Sequence, residues 1–152
     1  MPILRGLLAV CLLSACLLAA WGAVAPAQVQ AQGTPGPGEQ DAVTRTIRAQ
    51  MEAFKRDDGV EAFSYAAPAI REMFQTPDVF MQMVRGGYAP VYRPREVEFL
   101  EPRSESGEIL QPVRVTGPDG ESVIALYRMQ RQADGTWKIA GVVLLRTGEL
   151  AS

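Results

Sequence analysis

Residues 109–144 read ILQPVRVTGPDGESVIALYRMQRQADGTWKIAGVVL, and this stretch decides the class of fold. Apolar and polar side chains alternate in steps of two, the period of a strand with one face buried. Gly117-Pro118-Asp119-Gly120 and Ala133-Asp134-Gly135 break the alternation with turn residues of hairpin length. Strands are therefore expected over Ile109–Thr116, Ser122–Gln130 and Thr136–Leu144, with an earlier one around Val97 and Phe99 and a turn over Arg103–Gly107. Pro112 cannot donate to a ladder, so it belongs at an edge or a bulge, where sheets bend.

Before Gly87 the period lengthens to that of a helix. Val43, Ile47, Met51 and Phe54 share one face after Asp41, a good N-cap, while Thr44, Arg45, Arg48, Glu52 and Lys55 take the other. Asp58 and Glu61 have capping-box spacing for a short helix to about Ala66. Pro68 opens another turn with Ile70, Met73 and Phe74 as its buried side. Thr76-Pro77-Asp78 starts a further helix, with Val79, Phe80, Met83 and Val84 facing inward and Gly86-Gly87 ending it. Tyr88–Arg95 reads as a proline-punctuated loop. Helices first and sheet second give an α+β domain, the N-terminal helices packed on one face of a curved four-stranded antiparallel sheet.

Further outward lie segments that do not belong to this domain. Arg5 is followed by an uncharged stretch rich in Leu and Ala, and Ala25-Pro26-Ala27 fits the pattern cut by signal peptidase. Residues 1–27 read as a signal peptide, 28–40 as a flexible Gln/Gly/Pro linker, 41–146 as the single domain and 147–152 as a tail. An exported, periplasmic or secreted location follows. Two alternatives stay open: the run from Gly6 to Ala27 is long enough for an uncleaved anchor, and Leu13-Ser14-Ala15-Cys16 has the shape of a lipoprotein box. Cys11 and Cys16 both fall in the leader, so the mature fold is expected to hold by packing without disulfides.

Ala53-Phe54-Lys55-Arg56-Asp57-Asp58, Ala62-Phe63-Ser64-Tyr65-Ala66-Ala67-Pro68, Phe80-Met81-Gln82-Met83-Val84, Gly87-Tyr88 with Val91-Tyr92-Arg93-Pro94, and Asp134-Gly135-Thr136-Trp137-Lys138-Ile139-Ala140-Gly141 together carry a resemblance. They resemble an uncharacterised bacterial family of exported domains of unknown function. The last segment is also similar to the closing hairpin of nuclear transport factor 2-like, or cystatin-like, domains. That resemblance implies a cone in which a bent sheet wraps a helix around a pocket. It implies no reaction, because such folds host both enzymes and binders.

The chain has 15 Lys+Arg against 17 Asp+Glu, a formal net charge of −2, and no His. The two signs are interleaved, which leaves no basic stripe for nucleic acid and no polybasic patch for a membrane. Without His or a mature Cys, the usual nucleophile systems and His/Cys metal sites are not expected, and no cofactor is implied. Carboxylate, Tyr and Arg chemistry remains. Asp57-Asp58 could split their pKa values, but neighbouring residues diverge on a helix and Asp58 suits an N-cap. Tyr88, Tyr92, Arg93 and Arg95 could form a rim that grips an anion, or could cover a helix end. Tyr65, Gln111, Tyr127 and Trp137 could line a cone, or Tyr127 and Trp137 could form a cross-strand pair in the core. Met51, Met73, Met81, Met83 and Met129 suit either an adaptable pocket or core filling. The expectation is a non-enzymatic exported module that binds a small ligand or a protein partner. An isomerase-like or hydrolase-like pocket enzyme using Asp and Tyr is the alternative, and a filled cone with an exposed apolar patch would point to protein binding or a homodimer.

Overall fold

The structure is a computed structural model that describes residues 33–146. The leader, the linker up to residue 32 and the tail fall outside the described residues.

Helix α1 spans Pro37–Lys55, beginning earlier than the expected cap at Asp41. Gly36 takes the cap position in extended backbone and Pro37, at N1, needs no N–H partner. The Glu39 carboxylate accepts from the Gly36 N–H at 3.3 Å, and Gln40 Nε2 donates to Pro35 O at 2.7 Å. Helix α2, Gly59–Ser64, has its expected cap: Asp58 Oδ1 accepts the Glu61 N–H at 2.9 Å. Helix α3, Pro68–Phe74, has no fully buried residue; Ile70 and Phe74 are half-buried and Met73 is 69% exposed, against the expectation that all three turn inward. Helix α4, Pro77–Gly87, is capped by Thr76 and buries Phe80, Met81 and Val84. Val79, expected inside, is 49% exposed because the inward stripe begins one residue later. Within the expected loop a single turn, α5, Ala89–Tyr92, forms with Pro90 in its first turn.

Five strands follow rather than four: β1 Glu96–Phe99, β2 Arg103–Glu105, β3 Glu108–Thr116, β4 Ser122–Arg131 and β5 Trp137–Arg146. The five strands pair with one another antiparallel, the order is β1-β3-β4-β5, and β2 also pairs with β3. The sheet is open. Its buried face presents Ile109, Val113, Val115, Ala125, Tyr127, Met129 and Ile139 to Val43, Ile47, Met51 and Phe54 of α1.

β1 and β2 are two halves of one broken edge. Between the pairs Phe99↔Val113 and Arg103↔Leu110, the edge spends Leu100, Glu101 and Pro102 where β3 spends only Gln111 and Pro112. Pro112 thus sits opposite an irregularity, as its missing N–H requires. Gln111, 1% exposed, bridges the gap: its Nε2 donates to Leu100 O at 2.7 Å and to Pro112 O at 2.9 Å.

A second irregularity lies in β5. Arg128 pairs with Gly141 but Met129 pairs with Ile139, so Ala140 is an extra residue. Trp137 and Ile139 face inward before it, whereas Val142 and Leu144 pack on the core after it and Val143 is 56% exposed. Arg128 Nη2 donates to the bulged Ala140 carbonyl at 3.2 Å.

Tyr127 stands opposite Gln111, and Trp137 opposite Arg131, so the two aromatic residues are not a cross-strand pair. The Tyr127 hydroxyl is fully buried, finds no hydrogen-bond partner among the described residues, and has its ionisation pushed up by burial. A lone buried hydroxyl loses its hydration without compensation. Tyr127→Phe is therefore expected to raise the unfolding free energy by about 1 kcal/mol, read from the midpoint of denaturant unfolding.

Candidate functional site

An apolar cavity of ≈ 320 Å³ opens between the helices and the end strand of the sheet. One wall is α3 and α4, with Ile70, Met73, Phe74, Phe80, Met83 and Val84. The opposite wall is Ile139, Gly141 and Val142 of β5, and Gln50 and Phe54 of α1 close the inner end with Val91 and Tyr88. The volume is at the small end of the about 300–1,000 Å³ usual for ligand sites.

Aromatic packing builds the inner wall. Phe80 is the hub, with ring centroids 5.2 Å from Phe63, 5.8 Å from Phe74 and 6.1 Å from Phe54. Such offset and edge contacts fix ring positions more tightly than area burial alone. Two polar groups face this lining. Gln50, 3% exposed, donates from Nε2 to Ala62 O at 3.1 Å, while its amide oxygen accepts no hydrogen bond from the described residues. The Tyr88 hydroxyl donates to Val142 O at 3.1 Å, across to the β5 wall.

A charged cluster braces the wall from behind. Asp57, at φ 57°, follows α1 and accepts from Tyr92 Oη, from Arg85 Nη2 at 3.2 Å and from Arg93 Nη2 at 2.8 Å. Arg93 Nη1 also donates to Phe54 O at 2.7 Å, satisfying a carbonyl at the end of α1. One carboxylate therefore ties α4 and the turn after α5 to the end of α1. The Tyr92 hydrogen bond, then the two guanidinium groups, hold the Asp57 carboxyl below its ordinary value.

A depressed carboxyl stabilises the fold fully above the pKa of the unfolded chain, about 4, and that contribution drains away as pH falls through the lower folded value. Asp57→Asn, which tolerates the same positive φ, is expected to flatten the acid limb of thermal stability below about pH 4. Unfolding temperatures from pH 2 to pH 7 check this; an unchanged acid limb would show the cluster to be energetically silent.

Of the residues singled out from sequence, Tyr88, Met73 and Met83 line the cavity, while Tyr92 and Arg93 belong to the brace. Arg95 lies apart, in a polar cleft with Arg48, Lys55 and Glu52. Tyr65 packs on the core and donates to Glu61 at 3.1 Å; burial first and then that carboxylate push its phenol up. Gln111, Tyr127 and Trp137 are core residues on the sheet. Asp58 is a helix cap. Gln50 was missed, although a signal was present: it is a polar residue on the stripe of Ile47, Met51 and Phe54.

Among the described residues, no group of three or more His, Cys, Asp or Glu could hold a metal ion, and no helix is long and apolar enough to cross a membrane. No curated protein and no solved structure matches the chain at a significant level. A family model matches residues 38–151, all but the first residue of the helical and sheet region just described, and the chain belongs to that family, Domain of unknown function (DUF4864).

Proposed function

We propose that this protein is an exported, non-enzymatic binding module that takes a small, uncharged apolar group into the cavity between α3, α4 and β5. The observation that carries the reading is the lining itself. Its side chains are aromatic, aliphatic and thioether, and its polar atoms are an amide and a phenol, with no carboxylate among them. Such a lining recognises by desolvation and shape, and Gln50 supplies an acceptor for one hydroxyl or N–H of the ligand. Met73 and Met83 at the wall adapt to different shapes at little cost. The leader supports export, and helices on one face of an open bent sheet with a pocket at one side support kinship with the nuclear transport factor 2-like shape.

Octanol and decanol are the first probes. At about 100 times the dissociation constant, a ligand of the folded state adds about 2.7 kcal/mol to stability, which a thermal shift reads directly. Ile70→Trp, which fills the mouth, is expected to remove the shift while leaving the unliganded unfolding temperature close to that of the parent. No shift with either alkanol, or an equal shift in Ile70→Trp and Met83→Trp, would overturn the reading.

A further inference from the structure

β5 is an end strand of the sheet, yet its outer edge is only half covered. Residues Tyr65–Ala67 lie along the first half in parallel: Ile139 N–H donates to Tyr65 O at 2.9 Å and Ile139 O accepts from Ala67 N–H at 2.8 Å. The peptide groups of Ile139 therefore point away from β4. In an antiparallel ladder that direction recurs at every second residue, and the extra residue Ala140 advances it by one. Beyond the bulge the outward set continues with Val142 and Leu144. The Tyr88 hydroxyl on Val142 O confirms the direction. Val142 N–H and both peptide groups of Leu144 have no partner among the described residues outside their own ladder.

This half of the edge, engaged only at Val142 O by the Tyr88 hydroxyl, is also the β5 wall of the cavity, through Gly141 and Val142. A strand laid beside it would send alternate side chains to the same side as Val142 and Leu144, over the opening. No lining residue is charged, so those side chains must be uncharged as well. Free backbone donors and acceptors at strand spacing recognise an extended chain, and on this same edge Tyr65–Ala67 already bind in that manner.

We propose that Gly141–Leu144 is a strand-addition site for an extended, uncharged segment of a partner protein, whose alternate apolar side chains enter the cavity. The side-chain half of this inference rests on the pocket reading above, and the backbone half stands on the edge alone.

An array of capped octapeptides, with Leu, Val or Phe at alternate positions and Ser or Thr between them, tests it against the full chain. Binders are expected, with amide exchange at Val142 and Leu144 slowed by about tenfold or more. N-methylation of the peptide amides facing the edge is expected to weaken binding by about tenfold per bond, and N-methylation of the intervening amides to leave it unchanged. No binder in the array, binding without protection at Val142 and Leu144, or equal loss from both N-methyl sets would overturn the proposal. So would concentration-dependent self-association that protects Leu144 without peptide, because the occupant would then be a second copy. Alkanol binding without peptide binding would overturn strand addition and leave the pocket reading standing. Edge protection by peptides on a protein that takes no alkanol would support strand addition and overturn the pocket reading.

Discussion

Phe54→Ala lowers the unfolding free energy by about 3–5 kcal/mol, a large part of the about 5–15 kcal/mol that holds a domain folded. The ring is 2% exposed and sits where core and cavity meet. Its centroid lies 6.1 Å from Phe80 and 6.3 Å from Tyr92 in a T-shaped contact. Truncation removes the transfer free energy of the ring and leaves a void that the surrounding helices, fixed by the Asp57 brace, cannot collapse to fill. Denaturant unfolding checks it: the midpoint falls while the slope holds, since the surface exposed on unfolding changes little.

Gln111→Leu costs about 1–3 kcal/mol, although it replaces a polar core residue with an apolar one of similar size. The loss comes mainly from the Leu100 carbonyl, which the Gln111 amide satisfies where the edge of the sheet breaks, whereas Pro112 O keeps the Leu100 N–H at 3.0 Å. Amide exchange gives the local reading. Arg103 and Ser104 of β2 should lose protection before the strands on the far side, because the half-edge beyond the break has only three paired residues to hold it. Tyr127, directly opposite on β4, makes the comparison sharp. Removing a polar group there is stabilising because nothing depends on it, and removing one at Gln111 is costly because the Leu100 carbonyl does.

Local chemistry made much of this fold legible. Asp58 and Thr76 cap their helices as their residue type dictates, and the two Asp-Gly turns deliver the hairpins between β3, β4 and β5. Where the reading stopped, helix-end detail and pairing between distant segments had taken over. Pro37 and Gly38 look like linker by composition, but a Pro at N1 and the hydrogen bond from Gln40 to Pro35 let the helix begin there. β2 is Arg-Ser-Glu, a run with no apolar pattern, and is a strand because β3 offers it an edge. The site was legible at Tyr88 and, as one of two readings, at Met73 and Met83. Its other walls come from Phe54, Ile70, Phe74 and Phe80, which any core-forming helix would also carry, and only their meeting around a gap makes them a pocket. Tyr92 and Arg93, adjacent in sequence, suggested a ligand grip, whereas the fold brings Asp57 to them from 35 residues away.

The bulge at Ala140 has a bearing on how this protein can vary. Beyond it the chain reads Val142-Val143-Leu144-Leu145, so either alternation offers one valine and one leucine to the core. Hydrophobic patterning is degenerate here and cannot by itself choose which pair turns inward. The choice falls to two side chains acting on backbone oxygens, Arg128 on Ala140 and Tyr88 on Val142. The end of this sheet is thus held in register partly from outside its ladder: a change at Arg128, which does not line the cavity, is expected to loosen the β5 wall of the cavity without altering any residue that lines it.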